Sequence, residues 1–196
     1  MKKMKTKNVV MVALLSALYL IVYMLSGALV ALFGAFGHAI SPGICALLSG
    51  SIFVFMSRKV GRFGQFTIMT AIVMIIFSIM GAGYLPWIIT SMVGAIIADF
   101  IASRGNKPAI WKVAIASGIL HVGQAWGSIV PSWFFVESYK QEWIERGMEA
   151  ADMEEKAAAT QGMMGVLATA VVFVLAFAGV YLGWLILKKH LSKSED

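Results

Sequence analysis

The segment Val9–Ala35 leaves this chain little choice of environment. It is apolar almost without interruption, and about 20 such residues, each rising about 1.5 Å in a helix, cross the roughly 30 Å hydrocarbon core of a bilayer. Five further apolar runs follow, at about 39–56, 63–80, 85–102, 109–130 and 163–187. They lack the alternation of barrel strands, and an open sheet cannot satisfy its backbone in lipid. With 60% of residues apolar and 13% charged, a soluble globular domain is excluded. The expected fold is an all-α integral membrane protein: six transmembrane helices in one bundle, a single domain over residues 1–196. The lysines before the first run resemble the start of a signal peptide, but that run far exceeds a signal core of about 7–15 residues. It is read as a retained span.

The net charge of +6 does not point to nucleic acid, because the charges flank the apolar runs. Lys2, Lys3, Lys5 and Lys7 precede the first; Arg58, Lys59 and Arg62 separate the second and third; Arg104, Lys107 and Lys112 separate the fourth and fifth; Lys188, Lys189 and Lys193 close the chain. Thirteen of the 16 basic residues therefore fall on one side of the bilayer. Cytoplasmic loops carry the excess of Lys and Arg, so both termini are expected in the cytoplasm. The other three, Lys140, Arg146 and Lys156, lie with seven acidic residues in the polar insert 132–162, which is placed outside. Pairs four apart, Glu142/Arg146 and Asp152/Lys156, predict a helix there. Ile144, Met148 and Ala151 recur at helical spacing, so the insert is either a solvated connector or a lid over an outward cavity. The single cysteine, Cys45, excludes an internal disulfide.

Polar side chains inside a membrane are costly and point to sites. In the fifth run Ser117, His121, Gln124 and Ser128 are four, three and four residues apart, which places them on one helical face. That face must turn into the bundle, as an interhelical hydrogen-bond seam or as the wall of a wet cavity. His38, Tyr84, Trp87, Ser91, Trp126 and Trp133 stand at or near the same end and are candidate binding residues with His121, Gln124 and Ser128. They have the aromatic-plus-few-polar composition of small-molecule pockets, although Trp and Tyr at that depth also form interfacial belts. Asp99, near the other end of the fourth run, is expected to pair with Arg104 or a neighbouring basic residue. No catalytic constellation, nucleotide-binding loop or metal-ligand cluster is evident, so no enzymatic activity and no bound cofactor are expected.

Ala13, Ser16 and Ala17 form a small-residue patch in the first run. Small residues let helices approach closely in lipid, either within the protein's own bundle or against a separate subunit. Six spans in this length, both ends inside, and Ala13-x-x-x-Ala17 resemble the substrate-binding S components of energy-coupling factor (ECF) transporters. The opening from Lys7 through Gly43, with Gly34-Ala35-Phe36-Gly37-His38, is similar to the Trep_Strep or MptD-type S components. The resemblance implies a prokaryotic cell-membrane protein that captures a scarce small nutrient at the outer face and delivers it inward. It implies that Ala13 and Ala17 dock on a transmembrane T subunit carrying two ATPases, which use the ATP. It also implies lids at 36–42 and 81–86.

The ligand expected is a vitamin-like or aromatic heterocyclic compound; haem, with His38 and His121 as axial ligands, is the alternative. A different class, a membrane interaction or assembly protein using Ala13 and Ala17 to hold a partner, also fits the patch. For topology, cysteines introduced between Glu142 and Lys156 are expected to react with impermeant reagents on intact cells, while those at Lys59 or Lys107 stay unlabelled. Labelling at Lys107 from outside would overturn the orientation.

Overall fold

In the computed structural model, which describes residues 4–103 and 108–192, the chain is helical throughout, with no strand among the described residues. The helices are α1 (Thr6–Val30), α2 (Gly34–Lys59), α3 (Gln65–Ile79), α4 (Leu85–Ala102), α5 (Ile110–Phe134), α6 (Val136–Glu145), α7 (Ala150–Ala158) and α8 (Gly162–Ser192). Five of them, α1, α2, α4, α5 and α8, are long and apolar enough to cross a membrane. The expected third span is realised as α3, apolar but only 15 residues long, short of the roughly 20 a full crossing needs.

Several expected boundaries move. The first span does not reach Ala35: α1 ends at Val30 and a short 3₁₀ turn, Ala31–Phe33, follows. The chain reverses at Gly34, whose φ of 58° is left-handed and suits glycine. The expected connector and lid at 36–42 is therefore helical, the first turns of α2. Pro42 does not break that helix. It removes the amide that would pair with the carbonyl of His38, and the Ser41 hydroxyl donates to that oxygen instead, at 2.9 Å. The fifth span does not stop at Pro131 either; α5 runs on to Phe134. The insert is two short helices, α6 and α7, parted near Gly147, where φ is 96°.

Beside a core of large buried side chains such as Phe53, Phe66 and Met69, two helix pairs are joined by close backbone contact. The most extensive helix pair is α2 with α8, followed by α4 with α5. A methyl placed on Gly50 would lie 1.9 Å from the carbonyl oxygen of Gly179, and one on Gly183 would lie 2.3 Å from the amide nitrogen of Ser51. Ala46 and Ala176 are fully buried. In α4 and α5 a methyl on Gly123 would lie 2.6 Å from the carbonyl of Thr90. Without a hydrophobic driving force between helices in lipid, such close packing is the main attraction. Beside the small-residue patch of the first helix, α8 has Gly179-x-x-x-Gly183, and these glycines meet α2.

At the end bearing Arg58, Lys59 and Arg62, Asp99 of α4 is fully buried. Its carboxylate accepts from the backbone amides of Phe66 and Thr67 at 3.1 and 2.9 Å, from the Thr67 hydroxyl at 2.6 Å and from Ser103 at 2.9 Å. Asp99 therefore caps the N-terminus of α3 from another helix, where Gly64 offers no side chain for the purpose. The expected partner Arg104 lies outside the described residues.

Replacing Gly50 or Gly179 by Ala should cost about 1–3 kcal/mol or more, because a carbonyl oxygen already fills the space. Gly27, with nothing within 4 Å of its added methyl, should tolerate Ala within about 0.5 kcal/mol. Reversible unfolding in detergent measures both, and equal effects would mean that the seam does not hold the bundle.

Candidate functional site

Of the five helices long and apolar enough to cross a membrane, α5 carries the polar stripe and is the most enclosed. Ser117, His121 and Gln124 are buried on its inward face. They meet α1: the Tyr19 hydroxyl lies 3.0 Å from His121 Nε2 and 3.2 Å from the Gln124 amide, while His121 Nδ1 lies 2.7 Å from the Ser117 carbonyl. Phe53 of α2 packs on both Tyr19 and His121, with ring centroids 5.8 and 5.1 Å away. The lower part of the stripe is therefore an interhelical seam. Its upper part opens into a cavity of about 190 Å³.

Gln124, Ser128 and Ala125 line one side of this cavity, and His38, Ser41 and Pro42 of α2 another. Tyr23, Phe77 and Trp87 supply an aromatic wall from α1, α3 and α4, the Tyr23–Phe77 and Phe77–Trp87 centroids being 5.1 and 5.5 Å apart. Gly127 makes room for it, since a methyl there would lie 2.4 Å from Trp87 Cδ1. Across the mouth lie Tyr139 and Trp143 of α6, their rings 5.7 and 5.8 Å from Tyr84. Tyr84, Tyr139 and Met153 form a small buried core joined by Ile144 and Met148. The insert is thus a lid, with Ala151 left exposed because the turn at Gly147 changes the helical phase.

Polar contacts hold the lid. The Arg146 guanidinium donates to the Gly83 carbonyl at 2.9 Å, pairs with Glu142 and lies over the Trp143 ring. That ties α6 to the segment between α3 and α4, within the expected lid 81–86. Lys140 bridges Glu137 and Glu154, whose carboxylates raise its pKa and link α6 to α7. Burial pushes the Tyr84 phenol up to about 12, with Glu142 adding to the rise and Arg146 opposing it. Burial likewise raises Tyr139.

Of the residues expected at the site, His38, Tyr84, Trp87, Gln124 and Ser128 come together around the cavity. His121 lies beneath it, with both ring nitrogens engaged. Ser91 is buried on α4 without a hydroxyl partner and does not line the cavity. Trp126 and Trp133 do not reach it: at about 100° per residue each stands roughly opposite Gln124 on α5. They turn toward α8 and the turn before it: Trp126 donates to Thr169 of α8 at 3.2 Å and Trp133 to the carbonyl of Thr160, in that turn, at 2.8 Å. The Ala13/Ser16/Ala17 patch divides: Ser16 is buried and bonds the Val12 carbonyl, while Ala13 and Ala17 face outward among Leu14 and Leu18.

Sequence reasoning missed Tyr23, Phe77, Tyr139 and Trp143. Two of these had a signal, Tyr139 and Trp143 being aromatic four apart in an otherwise charged stretch, and so sharing a face. Tyr19, the partner of His121 and Gln124, is four residues from Tyr23 on a helix that is otherwise mostly aliphatic.

Residues 6–193 match the family described as hypothetical bacterial integral membrane protein (Trep_Strep). The chain belongs to the Trep_Strep family. No curated protein and no solved structure matches it. This Trep_Strep chain is accordingly a bacterial integral membrane protein whose polar stripe ends in a lidded aromatic cavity.

The Tyr84 phenol favours its neutral form in the folded lid. Its contribution to stability is complete below pH 10, the ordinary tyrosine value, and is lost as pH rises through about 12. Trp143 emission should therefore shift as the lid loosens between about pH 10 and 12, and Tyr84→Phe should weaken that shift. An identical profile in the variant would show that Tyr84 does not control the lid.

Proposed function

We propose that this protein is the substrate-capturing membrane subunit of an ATP-driven importer of the energy-coupling factor type. In this reading it sits in the cell membrane with both termini cytoplasmic, α3 serves as a short sixth span, and the α6–α7 lid faces outward. The observation that carries the reading is the aromatic cavity beneath α6, with the buried side chain of Gln124 among its lining residues. A cavity wall that is mostly aromatic with a few polar groups suits small organic ligands. Nothing in the cavity suggests bond-making chemistry, and energy for transport would come from partner ATPases.

The outward face of α1 supports the partner half of the reading. Ala13 and Ala17 offer a close-approach surface for a helix of a T subunit, and neither is used within the bundle. Haem is not carried forward as the ligand, because His121 has both nitrogens engaged and does not share the cavity with His38.

Mass spectrometry of material extracted from the purified protein should yield one retained small molecule. Ala13→Trp/Ala17→Trp should abolish copurification with a T subunit and its two ATPases and abolish uptake, while that molecule is still retained. Absence of any retained or bound small molecule, with partner binding intact, would favour an assembly protein instead.

A further inference from the structure

Two buried polar atoms without a partner, Gln124 Nε2 and Trp143 Nε1, belong to side chains that line the lidded cavity. Gln124 is only 3% exposed, and an unpaired buried amide is costly. Its neighbours decide which end of the amide faces the cavity. His121 Nδ1 is 2.7 Å from the Ser117 carbonyl, which can only accept, so Nδ1 carries a proton. The ring is enclosed by Tyr19, Phe53 and helix backbone with no carboxylate against it, and an unpaired charge there would be costly. In the neutral ring Nε2 then accepts the single Tyr19 hydroxyl proton at 3.0 Å. The Tyr19 oxygen has only lone pairs left for the amide end 3.2 Å away. That end is satisfied as NH₂, an orientation that differs from its alternative only by exchange of nitrogen and oxygen. The carbonyl oxygen of Gln124 is left without a protein partner, on a side chain that lines the cavity.

The two serine hydroxyls that line the cavity, from α2 and α5, agree. Ser41 donates to the His38 carbonyl and Ser128 to the Ala125 carbonyl, at 2.9 and 3.1 Å, so both hydroxyls present lone pairs only. The tyrosine hydroxyls can rotate to either role. Among the described residues no Asp, Glu, Lys or Arg lines the cavity, and His38 lines it as an exposed imidazole. On the lid, the Trp143 indole can only donate.

We propose that the cavity selects an uncharged, flat heteroaromatic compound, its ring N–H donating to the Gln124 carbonyl and an acceptor such as a carbonyl on the ring meeting the Trp143 indole N–H. Tyr19 and His121 are positioning residues, which hold the Gln124 amide in its acceptor orientation without touching the ligand. This inference rests on the reading of the cavity as a capture site.

Quinolin-2(1H)-one and coumarin, which share a shape but differ by a ring N–H against a ring oxygen, test it by calorimetry on the full chain in nanodiscs. The parent should bind the quinolinone about 5- to 150-fold more tightly. In Gln124→Leu and in Tyr19→Phe that ratio should collapse toward unity, an effect that simple loss of packing would not produce between two compounds of one shape. If Tyr19→Phe does not fold, the parent and Gln124→Leu decide. Equal affinities in the parent, a preference for coumarin, or a ratio unchanged in Gln124→Leu would overturn the inference and leave the capture reading standing. Binding of neither compound by the parent would overturn both.

Discussion

The contact between the backbones of α2 and α8 is the constraint on which the rest of the bundle depends. Gly50 and Gly179 meet so closely that no side chain fits between them. In lipid this closeness replaces the hydrophobic effect as the source of helix association. It places α2 at the centre, in contact with α1, α5 and α8, and so sets His38 and Ser41 opposite the polar stripe of α5. The α4–α5 pair repeats the device at Gly94 and Gly123, and the next glycine in line, Gly127, is where Trp87 lies across α5.

Along α5 a single helical face performs two tasks. Toward the basic end it is a satisfied seam, with Tyr19 bridging His121 and Gln124. Toward the lid it is a wall with an incompletely satisfied amide. The transition falls at Gln124, which belongs to both. A polar group that is bonded on one side and open on the other is well placed to read a ligand, because its orientation is set before the ligand arrives.

The lid is built from the same economy of contacts. Tyr139 and Trp143 cover the mouth through ring packing, while Arg146 fastens α6 to the carbonyls before α4. Exposed ion pairs such as Lys140 with Glu137 contribute little by themselves. The lid is therefore held over the cavity by Tyr84 and its aromatic neighbours, and at its far end by Thr160, which bonds Ser132 and Trp133 of α5.

The sequence alone determined the membrane class, the helical architecture and the inward turn of the α5 stripe, because lipid forbids unpaired backbone and penalises exposed polar groups wherever the chain goes. Those constraints act locally and can be read residue by residue. The hinge at Gly34, the passage of α2 and α5 through Pro42 and Pro131, and the shortness of α3 emerge only in the folded chain, because the apolar pattern runs through these positions without marking a boundary. Asp99 shows the point most directly: its partners are backbone amides of another helix, which no sequence spacing reveals. The same holds at the site. Helical periodicity brought Gln124 and Ser128 to one face, but only packing could show that Tyr19 holds His121 away from the cavity, that Trp126 and Trp133 belong to the α8 side, and that Tyr139 and Trp143 close the mouth.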